Sequence, residues 1–239
     1  MKPKSLSQKI VFLILALILF RLAIGQPAGA DITYNVTETK TPAAAEYLNT
    51  SGGTFTTLII SGETQNLRWK AYAGNVTGVL TLDDAGDYSI FQWAPTDFTG
   101  EVYASRNDSI NWDNIRCANQ THIDDEETKM NHTQTSVDSI NATFNSQIHK
   151  SFFVGNEPIG ESTCRSAFTW ANDTAQTPSV DAPFQEVLLH DTQSLVYTTF
   201  VDDNTQGFNF NNYDFQMILP ERGVAGYPNT RYYFYLELQ

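Results

Sequence analysis

Apolar and polar positions alternate in short runs along most of this chain, the period-two signature of half-buried strands. Asp31-Ile32-Thr33-Tyr34-Asn35-Val36-Thr37 is the first such run, and Thr54 to Ile60 continues it between the turn residues Gly52-Gly53 and Gly62. Asn66 to Tyr72 and Val76 to Leu82 flank Ala73-Gly74-Asn75 and predict a hairpin. Tyr88 to Ala94 and Gly100 to Ser105, around Pro95-Thr96-Asp97, predict another. Strand runs return at Phe184 to Leu189, Leu195 to Val201, Tyr213 to Leu219 and Arg231 to Leu238. Strands at this spacing predict a mainly β fold, a β-sandwich.

Between these sets the period changes. Val137, Ile140, Phe144 and Ile148 fall on one face of a helix among polar neighbours. Asp124 to Glu127 suit the first turn of a preceding short helix, where carboxylates complement the dipole. A helical insertion around 123–149 is therefore expected, broken at Asn131-His132-Thr133.

The first 25 residues follow neither pattern. Lys2, Lys4 and Lys9 precede 11 unbroken apolar residues, Ile10 to Phe20, and Arg21 then interrupts the run. A membrane-crossing helix needs about 20 apolar residues. Residues 1–25 therefore read as a secretory signal peptide, cleaved after Ala23-Ile24-Gly25 or, further on, after Ala28-Gly29-Ala30, with retention as an anchor the alternative. Residues 26–239 read as one β-rich extracellular domain, since no repeat or low-complexity linker divides them. Attachment to the cell is expected to come from a retained leader or from contacts with other proteins.

Export changes how the composition reads. Four of the 14 basic residues, Lys2, Lys4, Lys9 and Arg21, lie in the leader and no acid does, leaving ten basic against 27 acidic side chains, a formal −17. Nucleic acid is excluded as a partner by that surface. The two cysteines, Cys117 and Cys164, are expected to pair in an oxidising compartment, closing a 47-residue loop worth about 4 kcal/mol in the chain-entropy model.

Eight Asn-x-Ser/Thr acceptor triplets occur, at Asn35, Asn49, Asn75, Asn107, Asn119, Asn131, Asn141 and Asn172. At this composition chance gives about three, so N-linked glycans are an expected covalent partner.

Candidate chemistry is otherwise sparse. Asp83-Asp84 with Asp87, Asp124 to Glu127, and Asp202-Asp203-Asn204 are oxygen-rich clusters from which calcium could draw ligands, although none has EF-hand spacing and solvated turns are the simpler reading. His122, His132, His149 and His190 form no ligand spacing and are expected in surface or capping roles. Nucleophile-elbow, P-loop and dinucleotide motifs are absent from the sequence. Trp69, Trp93, Trp112, Trp170 and Tyr232-Tyr233 are candidates for a binding surface, though core packing explains most of them equally well.

Four segments resemble a family of uncharacterised secreted archaeal proteins: Trp69 to Gly78, Gly100 to Ser105, Tyr213 to Pro220 and Tyr232 to Leu238. The resemblance runs from about residue 55 to the end, with the cysteine pair in similar context. It implies an archaeal cell-surface setting and transfers no catalytic residue.

Three functions follow in order of support. The first is a non-enzymatic envelope or filament component whose partners are copies of itself or other surface proteins, residues 31–37 completing a neighbour's sheet. The second is a glycan-binding adhesin. The third is a hydrolase using distant carboxylates.

Overall fold

A computed structural model describes residues 26–34, 36–94, 99–223 and 229–238; the leader, Asn35 and the Pro95-Thr96-Asp97 turn lie outside the described residues. The chain is mainly β and antiparallel. Its strands are β1 (Ala28–Gly29), β2 (Trp69–Gly74), β3 (Leu80–Asp83), β4 (Ser89–Trp93), β5 (Thr99–Ser105), β6 (Arg116–Cys117), β7 (Phe152–Val154) and β8 (Glu157–Ile159), followed by β9 (Ser166–Phe168), β10 (Gln185–His190), β11 (Leu195–Asp202), β12 (Thr205–Gln206), β13 (Asn212–Tyr213), β14 (Phe215–Pro220) and β15 (Tyr233–Leu238). Two helices, α1 (Gln120–Met130) and α2 (Ile140–Thr143), separate β6 from β7.

One sheet dominates, in the order β1-β15-β5-β11-β10-β6, with β9 also pairing β10. β11 reads Leu-Val-Tyr-Thr-Thr-Phe-Val-Asp, β-branched and aromatic residues suited to a pleated surface. Both its faces are buried, which is why the run is continuous rather than alternating. At the edge of β5, Gly100 has φ +141°, and a Cβ there would lie 1.9 Å from the Glu237 carbonyl oxygen on β15. Only glycine permits that backbone approach.

The two faces are covered differently. Val102, Ala104, Leu188, Tyr197 and Val201 pack with Met217 and Leu219 of β14, Trp69 and Tyr72 of β2, Ile123 of α1 and Ile140 and Phe144 of α2. The β2–β14 ribbon is thus the partial second layer of a sandwich. Thr199 Oγ1 donates to the Gln216 carbonyl at 2.8 Å, and Ile218 N–H to Glu186 Oε2 at 2.9 Å, fixing ribbon to sheet. On the opposite face Tyr103, Val187, Leu189, Val196 and Phe200 meet Phe152, Val154 and Ile159 of the β7–β8 hairpin.

Several expected elements are corrected. Residues 31–34 and 36–37 form no strand, and neither do 54–60; Ile32, Tyr34, Val36, Phe55, Ile59 and Ile60 are exposed. A strand needs neighbours to complete its hydrogen bonds, and no described strand pairs with these runs. β2 pairs with β14 rather than with the segment after Gly74, and β4 pairs with β3 rather than with β5. The helical insertion is also smaller than expected. α1 starts at Gln120, capped by Asn119, and ends where Asn131 turns left-handed at φ 57°. Asp124 to Glu127 therefore occupy the middle of α1, not its first turn. α2 is a single turn, with Ile140 and Phe144 buried and Val137 94% exposed before it.

Candidate functional site

The residues least accounted for by the fold lie between β1 and β5. After Ala30 N–H donates to the Phe234 carbonyl, the chain leaves the sheet, and residues 31–67 other than the undescribed Asn35 contain no helix or strand. Tyr47, Leu48, Phe55, Leu58, Ile59, Ile60 and Leu67 are all exposed there, Phe55 by 91% and Ile59 by 98%. Within the arm Thr54 Oγ1 donates to the Ser51 carbonyl and Lys40 pairs with Glu63, and at its end Asn66 Nδ2 donates to Asp138 Oδ2 at 3.1 Å.

The β3–β4 hairpin shares this exposure. Leu80 lies opposite Trp93 and Leu82 opposite Phe91, which puts four large apolar side chains on one face, with the Phe91 and Trp93 rings 4.8 Å apart. All four are exposed. A lone two-stranded hairpin is at best marginally stable in water, and its uncovered apolar face makes it a candidate contact surface.

Two of the candidate metal residues, Asp83 and Asp84, have other partners. Asp83 accepts from the Ser89 hydroxyl and, at 2.7 Å, from that of Thr81, contacts that hold its carboxyl below the usual range. Asp84 Oδ1 accepts from the Tyr88 and Gly86 amides, and Asp87 adopts φ 63°, so these are the turn residues of the β3–β4 hairpin. Asp202 ends β11 and Asp203 begins the turn after it, and the ordering carboxylate there is Asp214, which accepts from Val76 N–H at 2.7 Å and Asn204 N–H at 2.9 Å. Among the described residues no three His, Cys, Asp or Glu side chains come together as metal ligands.

The acceptor asparagines differ in their surroundings. Asn49, Asn75, Asn119, Asn131 and Asn172 are exposed. Asn107 is half-buried and exchanges hydrogen bonds with Ser109. Asn141 is also half-buried, its N–H donates to Glu127 Oε1, and its Oδ1 is sealed from solvent without a partner. Asn35 lies outside the described residues.

Cys117 and Cys164 form the expected disulfide, with Cα atoms 4.9 Å apart. It joins β6 to the loop before β9, and His149 secures that loop: its Nε2 accepts from the Thr163 and Cys164 amides at 3.1 and 2.9 Å while Nδ1 faces the Lys150 carbonyl. Burial pushes the His149 pKa down, which matches an acceptor nitrogen. Of the four histidines only His122 caps a helix. His132, His149 and His190 are buried, and His190 stacks on His122 with centroids 3.5 Å apart.

Sequence reasoning missed the buried acids. Glu101 and Glu237 lie directly opposite on β5 and β15, each 4% exposed, under the β7–β8 hairpin. Glu237 accepts from Tyr103 Oη at 2.7 Å and from Gly155 N–H, and burial raises its pKa. Glu186 is fully buried on the other face and is raised far more. Alternation offered no signal, because these strands are covered on both sides. Trp69 and Trp112 belong to the core, whereas Trp93 and Trp170 are exposed.

No family model, curated protein or solved structure matches the chain. The surface itself therefore carries the functional argument. No helix among the described residues is long and apolar enough to cross a membrane.

Proposed function

We propose that this chain is an exported, N-glycosylated surface protein with a structural role, assembling with copies of itself or with other surface proteins into an envelope layer or filament. The carrying observation is the uncovered arm of residues 31–67, which leaves the main sheet directly after β1 with Ile32, Tyr34 and Val36 in strand alternation. Such a segment gains partners for its backbone and cover for its side chains by adding to a neighbour's sheet edge. The archaeal setting implied by the resemblance belongs to this proposal, as does the absence of an enzymatic role. Glu101 and Glu237, opposite each other on β5 and β15, lend a hydrolase no support because they are closed off from solvent.

Deletion of residues 31–37 from the mature protein tests the reading. Sedimentation is expected to show assemblies for the intact mature chain and monomers for the deletion; monomers in both cases would sink it.

A second reading, a glycan-binding adhesin, draws on the exposed rings of Trp170, Phe208 and Phe210. Phe210 stands at φ 67°, a strained conformation for an aromatic residue. A glycan array run with and without calcium tests it, and silence under both conditions counts against it.

A further inference from the structure

Asn172 differs from the other acceptors in how its backbone is held. Asn172 and Asp173 are the two central residues of a tight turn, at φ 52° and 54°, closed by Ala171 N–H to the Thr174 carbonyl and Thr174 N–H to the Ala171 carbonyl, both 3.0 Å. Asparagine and aspartate are the non-glycine residues that tolerate this left-handed conformation best. The turn is anchored by a second loop: Asn172 N–H donates to the Gly207 carbonyl at 2.9 Å and Asp173 N–H to that of Phe208 at 2.7 Å. The buried Gln216 amide donates to the Trp170 carbonyl at 2.9 Å and accepts from Phe208 N–H at 2.8 Å. The backbone on both sides of Asn172 is thereby fixed to the core.

The side chains at this spot are left open. Trp170 is 53% exposed although its backbone is pinned, and Phe208, in the anchoring loop, is exposed as well. Asn172 is exposed, and its side-chain amide makes no hydrogen bond to any described residue, in contrast to Asn107 and to the helix-capping Asn119. Two residues of chain span at most about 7 Å, so the Trp170 and Asn172 side chains start from backbone close enough for a sugar on Asn172 to meet the ring. Neither 169–176 nor 202–213 contains a lysine or arginine. The site therefore suits a neutral polyhydroxylated ring, whose apolar C–H face packs on an aromatic plane.

We infer that Asn172 carries a glycan whose first sugar seats on Trp170, making this acceptor a structural part of the fold where other acceptors carry only surface glycans. Covalent attachment holds the sugar near the ring at a high effective concentration, so a weak stack is enough. The inference rests on the glycoprotein reading above, and occupancy separates the two. If no acceptor is occupied in protein from its own cells, that reading fails; if others are occupied and Asn172 is bare, only this inference fails.

The test uses the full chain secreted from a host whose N-glycans begin with N-acetylglucosamine, trimmed enzymatically to that single sugar. It is compared with T174A, which removes the acceptor signal and keeps both Asn172 and Trp170. Hydroxyl-radical footprinting is expected to show Trp170 oxidation reduced about threefold in the glycosylated protein, the result of covering one ring face. The unfolding midpoint should rise by about 2–4 °C, and that gain should vanish when the comparison is repeated in a W170A background. An unoccupied Asn172, equal oxidation of Trp170 with and without the sugar, or a midpoint gain that survives W170A would each overturn the inference. Footprinting needs no substitution at Trp170, so the result stands even if W170A folds poorly.

Discussion

Two regions of this molecule use similar residues to opposite ends. In the sheet built from β5, β10, β11 and β15, apolar and aromatic side chains are covered on both faces, and even carboxylates are enclosed. In residues 31–67 and the β3–β4 hairpin, Phe55, Ile59, Phe91 and Trp93 are equally apolar and stand in solvent. The difference is one of neighbours rather than composition. The sheet draws its partners from within the chain, whereas the apolar side chains of the arm and hairpin are left uncovered among the described residues, cover that the proposed assembly would supply.

The first way to break that comparison is to unpick the sheet. C117S with C164S releases the 47-residue loop and is expected to cost about 2–5 kcal/mol, read as a fall in the thermal midpoint. Leu188→Ala, at a fully buried site, should cost a similar 2–5 kcal/mol in denaturant unfolding. The matching truncation in the arm, Phe55→Ala, should change monomer stability by no more than about 0.5 kcal/mol. A large loss from Phe55→Ala would show that the arm belongs to the fold after all.

The strong strands were legible in the sequence and their partners were not. Gln185–His190, Leu195–Asp202, Phe215–Pro220 and Tyr233–Leu238 fall within about two residues of the expected runs, because buried apolar stretches leave a local signal. β2 and β14 lie far apart in sequence, and nothing local in Trp69–Gly74 marks Phe215–Pro220 as its partner. The alternation at 31–37 reads as a strand because alternation reports suitability for a sheet edge, not the presence of one. The disulfide was legible from the cysteine count and the expectation of export. Glu101, Glu186 and Glu237 were hidden, since a strand buried on both sides gives a carboxylate no polar face to betray.

Those acids sharpen the comparison through pH. The Glu186 carboxyl is raised by burial, so the stability it permits is complete below the unfolded value near 4.5 and is lost as pH rises toward the folded value. Glu186→Gln should flatten that loss and make the variant more stable than the parent at alkaline pH, measured as unfolding midpoint against pH. His149 acts in the opposite sense. Its pKa is lowered from 6.5, so its contribution is present above that value and falls as pH drops below it. Both effects belong to the enclosed region, and the accessibility of the arm should not follow either.

Intact mass carries the smallest expected effects. Pro27 is buried, Gln26 Nε2 donates to Asp113 Oδ1 at 2.6 Å, and Ala28–Gly29 pair with β15. Cleavage is therefore expected before Gln26, since processing after Ala30 would remove a strand. Exposed Asn49, Asn75, Asn119 and Asn172 should be occupied ahead of half-buried Asn141. A glycan on Asn141 would show that glycans are added before that region closes.

Hydrogen exchange of the mature protein, assembled and dissociated, tests most directly whether the arm finds its partners in another molecule. Amides of 31–37 and of the β3–β4 hairpin should exchange rapidly in the monomer and become protected on assembly, while β5 and β11 stay equally protected in both states. Arm amides that exchange as fast in the assembled state as in the monomer, or a protein that stays monomeric at every concentration, would contradict the account.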